Sequence, residues 1–341
     1  MTSTSAPEVI AEAGPRTRSA RDALSPPGRC YLVINPGSRH GRGRATAARY
    51  LSLLTSDPGT GARAVACDCG YTRNLEDAAT LARRALDAGY DTVVAVGGDG
   101  TINRVLGAFL DSGPRGARAR LGVLYSGTSP DFCRFHGIPT DPAAAVAVLR
   151  QGVARPIDVC RILHQDAAGQ PRVDHFASSA NIGLGAGIAA GANRMRPRLG
   201  DFLGTLLAAA LTIAGRGPQR VRVVIDGQEL ALAPALNITV GKNPYLAGGL
   251  KLDTEIAGDD GSLYVFAICG IGRGRLLWAL PRIYSGSIAH DRRFLLRRAT
   301  SVRIEPIDGA IRTEFDGDPA GWCPAEISVL PKAVQLIGAR G

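Results

Sequence analysis

At 341 residues, 45% of them hydrophobic, the chain is too long for one small core and has ample apolar material for two domains. Its net charge of +10 rests on arginine, with Lys242, Lys251 and Lys332 as the lysines, and its 5% aromatics are not interleaved with basic residues, so no nucleic-acid partner is indicated. The 7 cysteines are odd in number and form no CxxC, which argues against a disulfide framework or a zinc site and for a reducing cytoplasm.

In chain order, residues 1–28 are rich in Ser, Ala, Pro and Arg without an apolar h-region, and read as a disordered leader. A short apolar strand at 30–34 runs into Asn35-Pro36-Gly37-Ser38-Arg39-His40-Gly41-Arg42-Gly43, followed by a helix over 45–54. That loop offers Asn and Ser side chains, glycine N–H groups and two arginines to a phosphate, yet matches neither standard phosphate-loop signature. A strand is predicted at 65–69, and an amphipathic helix over 72–88 with Leu75, Ala78, Ala82 and Leu86 on its apolar face.

The most informative stretch comes next. A buried parallel strand at 93–96 stops at Gly97-Gly98-Asp99-Gly100-Thr101, and a helix over 102–110 follows. Glycines there admit close approach of a ligand, and the helix start aims free N–H groups at an anion. Asp99 would repel a bare phosphate and so suits a phosphate-bound Mg²⁺ or the attacking hydroxyl. Taken alone, the turn is equally an Asp-capped β-turn. A strand at 121–125 ends in a third turn, Ser126-Gly127-Thr128-Ser129-Pro130-Asp131-Phe132. Three turns at strand ends predict an open parallel α/β sheet that binds its ligand at the strands' carboxyl ends.

Beyond Asp158 the pattern turns to strands, at 159–163, 175–179, 221–225, 236–240, 262–268 and 301–305, with one helical stretch over 199–214. That stretch is either a core helix or a cover for an acyl chain. Its apolar run, 202–214, is too short to cross a bilayer. Arg292, Arg293, Arg297 and Arg298 surround an apolar triplet and could meet anionic lipid.

Asn35-Pro36 with Ser38, Gly97 to Thr101 with Asn103, and Gly127-Thr128 with Asp131, Phe132 and Arg134 resemble, in order and spacing, the three motifs of the diacylglycerol kinase catalytic domain. This superfamily holds bacterial lipid kinases and sphingosine kinases and is distantly related to NAD kinases and 6-phosphofructokinases. The resemblance implies an α/β ATP-binding domain over 29–156, joined by a returning segment at about 326–341, and a β-sandwich acceptor domain over 157–325 with the active site in the cleft between them. It implies transfer of the γ-phosphate of ATP, with Mg²⁺, to a lipid hydroxyl on diacylglycerol or a sphingoid-like alcohol.

By the same resemblance Asn35, Pro36, Gly37, Ser38, Arg39, Thr72, Gly97, Gly98, Asp99, Gly100, Thr101, Asn103, Arg104, Gly127 and Thr128 would contact the nucleotide. Tyr125, Pro130, Asp131 and Arg134 would face the acceptor, and Asn181 to Gly187 looks like the glycine-rich segment near the cleft. Asp259-Asp260-Gly261-Ser262-Leu263 resembles a turn that holds a structural Mg²⁺ through Asp260 and the carbonyls of Ala257 and Ser262. Phe315-Asp316-Gly317-Asp318 resembles the D-G-E motif, so Asp316 and Asp318 would act with Asp99 as catalytic carboxylates, the acidic pair supplying the general base and Asp99 holding the catalytic Mg²⁺.

The chain departs from the family pattern at Arg104, Tyr125, Pro130 and Asp318, where the family usually has Glu, Pro, Asn and Glu. These changes leave open a kinase of a soluble hydroxyl-bearing metabolite, or an ATP-binding regulatory protein that has lost catalysis. A homodimer and peripheral contact with the anionic inner membrane face are compatible with the sequence.

Overall fold

The computed structural model describes residues 27–38, 41–56, 65–215, 217–246, 250–272, 274 and 294–340. The first half comprises β1 (Cys30–Ile34), α1 (Gly43–Thr55), β2 (Cys67–Tyr71), α2 (Glu76–Asp87), β3 (Thr92–Gly97), α3 (Asp99–Asp111), α4 (Pro114–Arg118), β4 (Arg120–Tyr125), α5 (Asp131–His136) and α6 (Pro142–Gln151). Next come β5 (Val153–Gln165), β6 (Pro171–Phe176), β7 (Ser179–Gly183), α7 (Leu184–Leu199), α8 (Asp201–Gly215), β8 (Val221–Ile225) and β9 (Gln228–Leu230). The chain continues through β10 (Ala235–Gly241), β11 (Tyr245–Leu246), β12 (Leu250–Lys251), β13 (Leu263–Cys269), β14 (Phe294–Ala299), β15 (Ser301–Pro306), β16 (Arg312–Phe315) and β17 (Asp318–Gly338).

Four parallel strands in the order β4-β3-β1-β2 form the first layer. All of β1 and β3 is buried, as apolar strands covered by helices on both faces require. One face packs Ala78 and Ala82 of α2 and Ile102, Val105 and Phe109 of α3. The other packs Ala47, Tyr50 and Leu54 of α1 and Val146 and Leu149 of α6. The second half is antiparallel, β7, β10, β13 and β14 on one side and β8, β15 and β5 on the other, closing over Phe176, Ile238, Val265, Ile304 and Phe315.

Two long strands join the halves. β17 pairs with β16 and β15 near its start and, in parallel, with β4 through Gln335 and Leu336 near its end. β5 runs antiparallel beside it from Val153 to Gln165, so the expected boundary at 156/157 falls inside a strand.

The differences from expectation have local causes. The helix expected over 72–88 starts at Glu76, because the Asn74 side chain accepts the Asp77 N–H and holds 72–74 as a loop. β2 lies two residues beyond its expected position, a shift that keeps the same side chains on each face. α7 was not expected, because its first residues, up to Gly187, resemble a glycine-rich segment near the cleft; further along, a Cβ on Gly191 would sit 3.0 Å from the Ala208 Cβ of α8, so the two helices pack closely there. Of the leader expected over 1–28, residues 1–26 lie outside the described residues, while Pro27 is seated by the Thr92 hydroxyl, which donates to its carbonyl.

Candidate active site

Because β1, β3 and β4 are parallel neighbours, their carboxyl ends open side by side. The Asn35 N–H donates to Val96 O and the Ser126 N–H to Gly97 O, so the three turns hang from adjacent strand ends. Side chains stitch them further: Asn35 Nδ2 donates to Thr101 Oγ1 at 2.9 Å, and the Ser38 and Ser126 hydroxyls meet at 2.8 Å. The glycines are needed for this closeness. A Cβ on Gly127 would lie 2.6 Å from the Gly98 Cα, and one on Gly97 only 2.4 Å from Thr101 Oγ1.

A cavity of about 490 Å³ opens beside these turns, lined by Asn35, Pro36, Gly37, Gly41, Arg44, Thr72, Arg73, Asn74 and Leu75. Its size is that of an ordinary small-ligand site. Thr72 reaches it because its N–H is tied to Ile34 O at 2.8 Å, which sets the loop after β2 against the loop after β1. Arg44 and Asn74 escaped sequence reasoning, Arg44 because it lies just past the glycines and Asn74 because it was assigned to helix. Arg39 and His40 lie outside the described residues.

Asp99 opens α3 after the N-cap Gly98. Its carboxylate accepts from the backbone N–H groups of Asp131 and Phe132 at the start of α5. Burial, and then the neighbouring carboxylates of Asp131 and Asp316, nevertheless push its pKa up to about 8. Its Oδ1 is buried with no hydrogen-bond partner, and so is Oδ1 of Asn103, one turn further along α3. Two orphaned acceptors at i and i+4 suit a cation. Among the described residues no group of three or more His, Cys, Asp or Glu could hold a metal by itself.

Asp316 comes from the far end of the chain. It adopts φ 50°, a left-handed conformation that Asp tolerates, and its carboxylate accepts the N–H groups of Ala177, Ser178 and Ser179 at 2.9, 3.0 and 3.1 Å. Glu314, which sequence reasoning missed, is 4% exposed. It accepts Asn181 Nδ2 at 2.7 Å and the Gly317 N–H, so it braces the acidic turn. Asn181 in turn accepts from Thr239 at 2.7 Å and Asn237 at 3.2 Å. A buried carboxylate facing an Asn on the neighbouring strand has no periodic signature. Asp318 begins β17, opposite Phe315, and its side chain lies outside the described residues.

Tyr125 ends β4 with its ring folded back over the third turn, and a Cβ on Gly127 would lie 2.6 Å from its hydroxyl. Burial, followed by the charge of Asp99, raises its pKa well above the usual phenol value. Pro130 caps α5, and Asp131 is buried at its start with Arg134 Nη1 3.4 Å away. Thr128 is exposed at the tip of the turn, Gly100 packs near Leu75, and Arg104 is half-buried on the second turn of α3.

Two family models cover most of the chain: the diacylglycerol kinase catalytic domain over residues 29–162 and the YegS C-terminal NAD kinase β-sandwich-like domain over 178–338. A Pseudomonas aeruginosa protein named "Probable lipid kinase YegS-like" is 31% identical over 267 residues, 76% of this chain and 80% of that one. The chain belongs to the diacylglycerol kinase catalytic-domain family. A diacylglycerol kinase of Mycobacterium tuberculosis is 29% identical over 314 residues, 92% of this chain and 96% of that one. A crystal structure of a diacylglycerol kinase from Bacillus anthracis shares the fold at a TM-score of 0.65, with 19% identity, across 91% of this chain and 96% of that one.

The second metal site that the kinase resemblance implies does not fit. Asp260 lies in the turn before β13, where Oδ2 accepts the Ala257 N–H at 2.9 Å and Oδ1 accepts the Ser262 N–H at 3.0 Å. Burial pushes its pKa up, but the Lys242 ammonium and these N–H groups outweigh it and hold the carboxyl at about 2. The ammonium of Lys242 already stands where the oxygens converge.

Proposed function

We propose that the chain is a kinase that moves the γ-phosphate of ATP to the hydroxyl of a lipid alcohol, with Mg²⁺. The orphaned Asp99 carboxylate oxygen, beside a glycine-built set of strand ends, carries this reading. ATP supplies the phosphoryl group, and Mg²⁺ spreads its charge. Asp99 and Asn103 offer their oxygens to the cation. The N–H groups at the start of α3, with Asn35, Ser38 and Thr101, cradle phosphate oxygens. Asp316 keeps a fixed negative charge opposite Asp99, and Asp318 takes the proton of the acceptor hydroxyl.

The second half favours a lipid acceptor. Leu203, Leu206, Leu207 and Leu211 form one helical stripe on α8, and Leu203 and Leu211 are 57% and 55% exposed. A cavity of about 370 Å³ between α7 and α8 shares Leu211 with this stripe and is lined also by Ala190, Gly191, Met195, Arg194 and Arg312. An apolar stripe beside two cations suits an acyl chain with an anionic or polar head. No helix among the described residues is long and apolar enough to cross a membrane.

The test is an acceptor panel with Mg·ATP: long-chain diacylglycerol in anionic vesicles, a sphingoid alcohol, a short-chain diacylglycerol and soluble polyols. Faster phosphorylation of the long-chain acceptors is expected. The double substitution Leu203→Glu with Leu207→Glu should lower activity on vesicles by roughly tenfold or more, on the transfer scale for two exposed leucines, and leave the short-chain rate unchanged. Turnover confined to soluble polyols would instead assign the site to a soluble metabolite, a reading for which Tyr125, folded over Gly127 beside Asp99, gives a structural reason.

A further inference from the structure

Lys242 follows the last residue of β10 and is 1% exposed. Such burial of an ammonium is costly unless every N–H is matched. Here each of its three donors has an oxygen: Asp158 Oδ2 at 2.6 Å, Ser262 O at 2.8 Å and Asp260 Oδ1. We propose that the Lys242 ammonium is the permanent cation of the 257–262 turn, and that this chain takes no divalent metal there.

Both carboxylate oxygens that face the ammonium already accept further hydrogen bonds. Asp158 Oδ2 also accepts the Gly261 N–H at 2.7 Å, and its Oδ1 accepts the Lys332 N–H at 2.8 Å. Asp260 Oδ1 further accepts the Ser262 hydroxyl at 2.8 Å, while its Oδ2 accepts Arg298 Nη2 at 3.1 Å. Two carboxylates thus face two fixed cations, and a dication would leave a buried excess of positive charge beside an ammonium. At Ala257 the backbone N–H also donates to Asp260 Oδ2, at 2.9 Å.

The ammonium joins four segments: the end of β10, the 257–262 turn, β5 at Asp158 and β17 at Lys332. The backbone N–H groups of Lys242 and Asn243 also bond Ser178 O at 2.9 and 3.1 Å, and the Ser178 N–H holds Asp316. A lysine therefore fixes, without metal, the loop that positions the acidic turn. This is independent of which acceptor is phosphorylated, and of whether phosphate is transferred at all.

The experiment uses the full chain carrying Asp99→Asn, free of nucleotide, titrated with Mn²⁺ while the free ion is followed by electron paramagnetic resonance. No saturable uptake is expected at millimolar Mn²⁺. Adding Lys242→Ala should lower the melting temperature in metal-free buffer, create a saturable Mn²⁺ site, and restore part of the melting temperature when Mn²⁺ is added. One Mn²⁺ bound per chain with Lys242 present would overturn the proposal. So would a Lys242→Ala protein as stable as its parent without metal, or a folded one that takes up no Mn²⁺. If Lys242→Ala does not fold under either condition, the titration of the parent decides alone.

Discussion

Asp99→Asn is expected to lower phosphate transfer by roughly three orders of magnitude, the scale on which loss of a preorganised charge partner acts. The same change should alter stability with the opposite sign. In the metal-free protein the Asp99 carboxyl has its pKa raised to about 8 by burial, Asp131 and Asp316, far above that of an unfolded carboxyl. A raised carboxyl favours the fold while protonated. That contribution is complete below the ordinary carboxylate pKa and disappears as pH climbs through the folded value. Wild-type protein without metal should therefore lose on the order of a few kcal/mol between about pH 4 and pH 8, and Asp99→Asn should not. Urea unfolding at pH 5 and pH 8, with and without Mg·ATP, checks this. Mg·ATP should restore the wild type at pH 8 and stabilise the variant less. Binding of the metal complex at pH 7 should also release close to one proton, visible as a buffer-dependent heat in calorimetry.

Asp316→Asn is the second large effect. Asn tolerates the left-handed conformation at φ 50°, so backbone strain is not introduced. What changes is the hydrogen bonding: one acceptor oxygen becomes an NH₂ group aimed at the N–H of Ala177, or at those of Ser178 and Ser179. At least one buried donor loses its acceptor, at about 1–3 kcal/mol. Loss of the charge opposite Asp99 also lets Asp99 ionise more easily, so its pKa falls. The expected result is a kcat lower by roughly a hundredfold with the Mg·ATP KM nearly unchanged, and a pH–rate profile whose acidic limb moves to lower pH. A purely structural role for Asp316 would lower stability without moving that limb.

The parallel sheet was legible in the sequence because its information is local. Runs of strand formers such as Val93 to Val96 read most economically as buried strands, and the need for the glycines after them becomes visible when a Cβ on Gly127 is found to collide with Gly98. The ordered motifs likewise tied Asp99 to Asp316, and the structure brings the two close enough for one to shift the other's pKa. Tertiary contacts were hidden. α7 was not legible, since nothing before the fold reveals that α8 lies against Gly191. Glu314 and Asn181 stand on neighbouring strands more than a hundred positions apart, and no spacing rule connects them. The acidic turn at Asp260 resembled a metal site because its own residues suit one. Its cation comes from Lys242, on a different strand and invisible from the turn itself.

The central claim is tested most directly by incubating the purified chain with ATP labelled in the γ-phosphate and long-chain diacylglycerol in anionic vesicles, with and without Mg²⁺, beside the Asp99→Asn variant. The account predicts labelled phosphatidic acid from wild type with Mg²⁺, and background label when either Mg²⁺ or the Asp99 carboxylate is missing. Labelled lipid formed at an equal rate by the Asp99→Asn variant, or no labelled lipid from wild type under any metal condition, would contradict it.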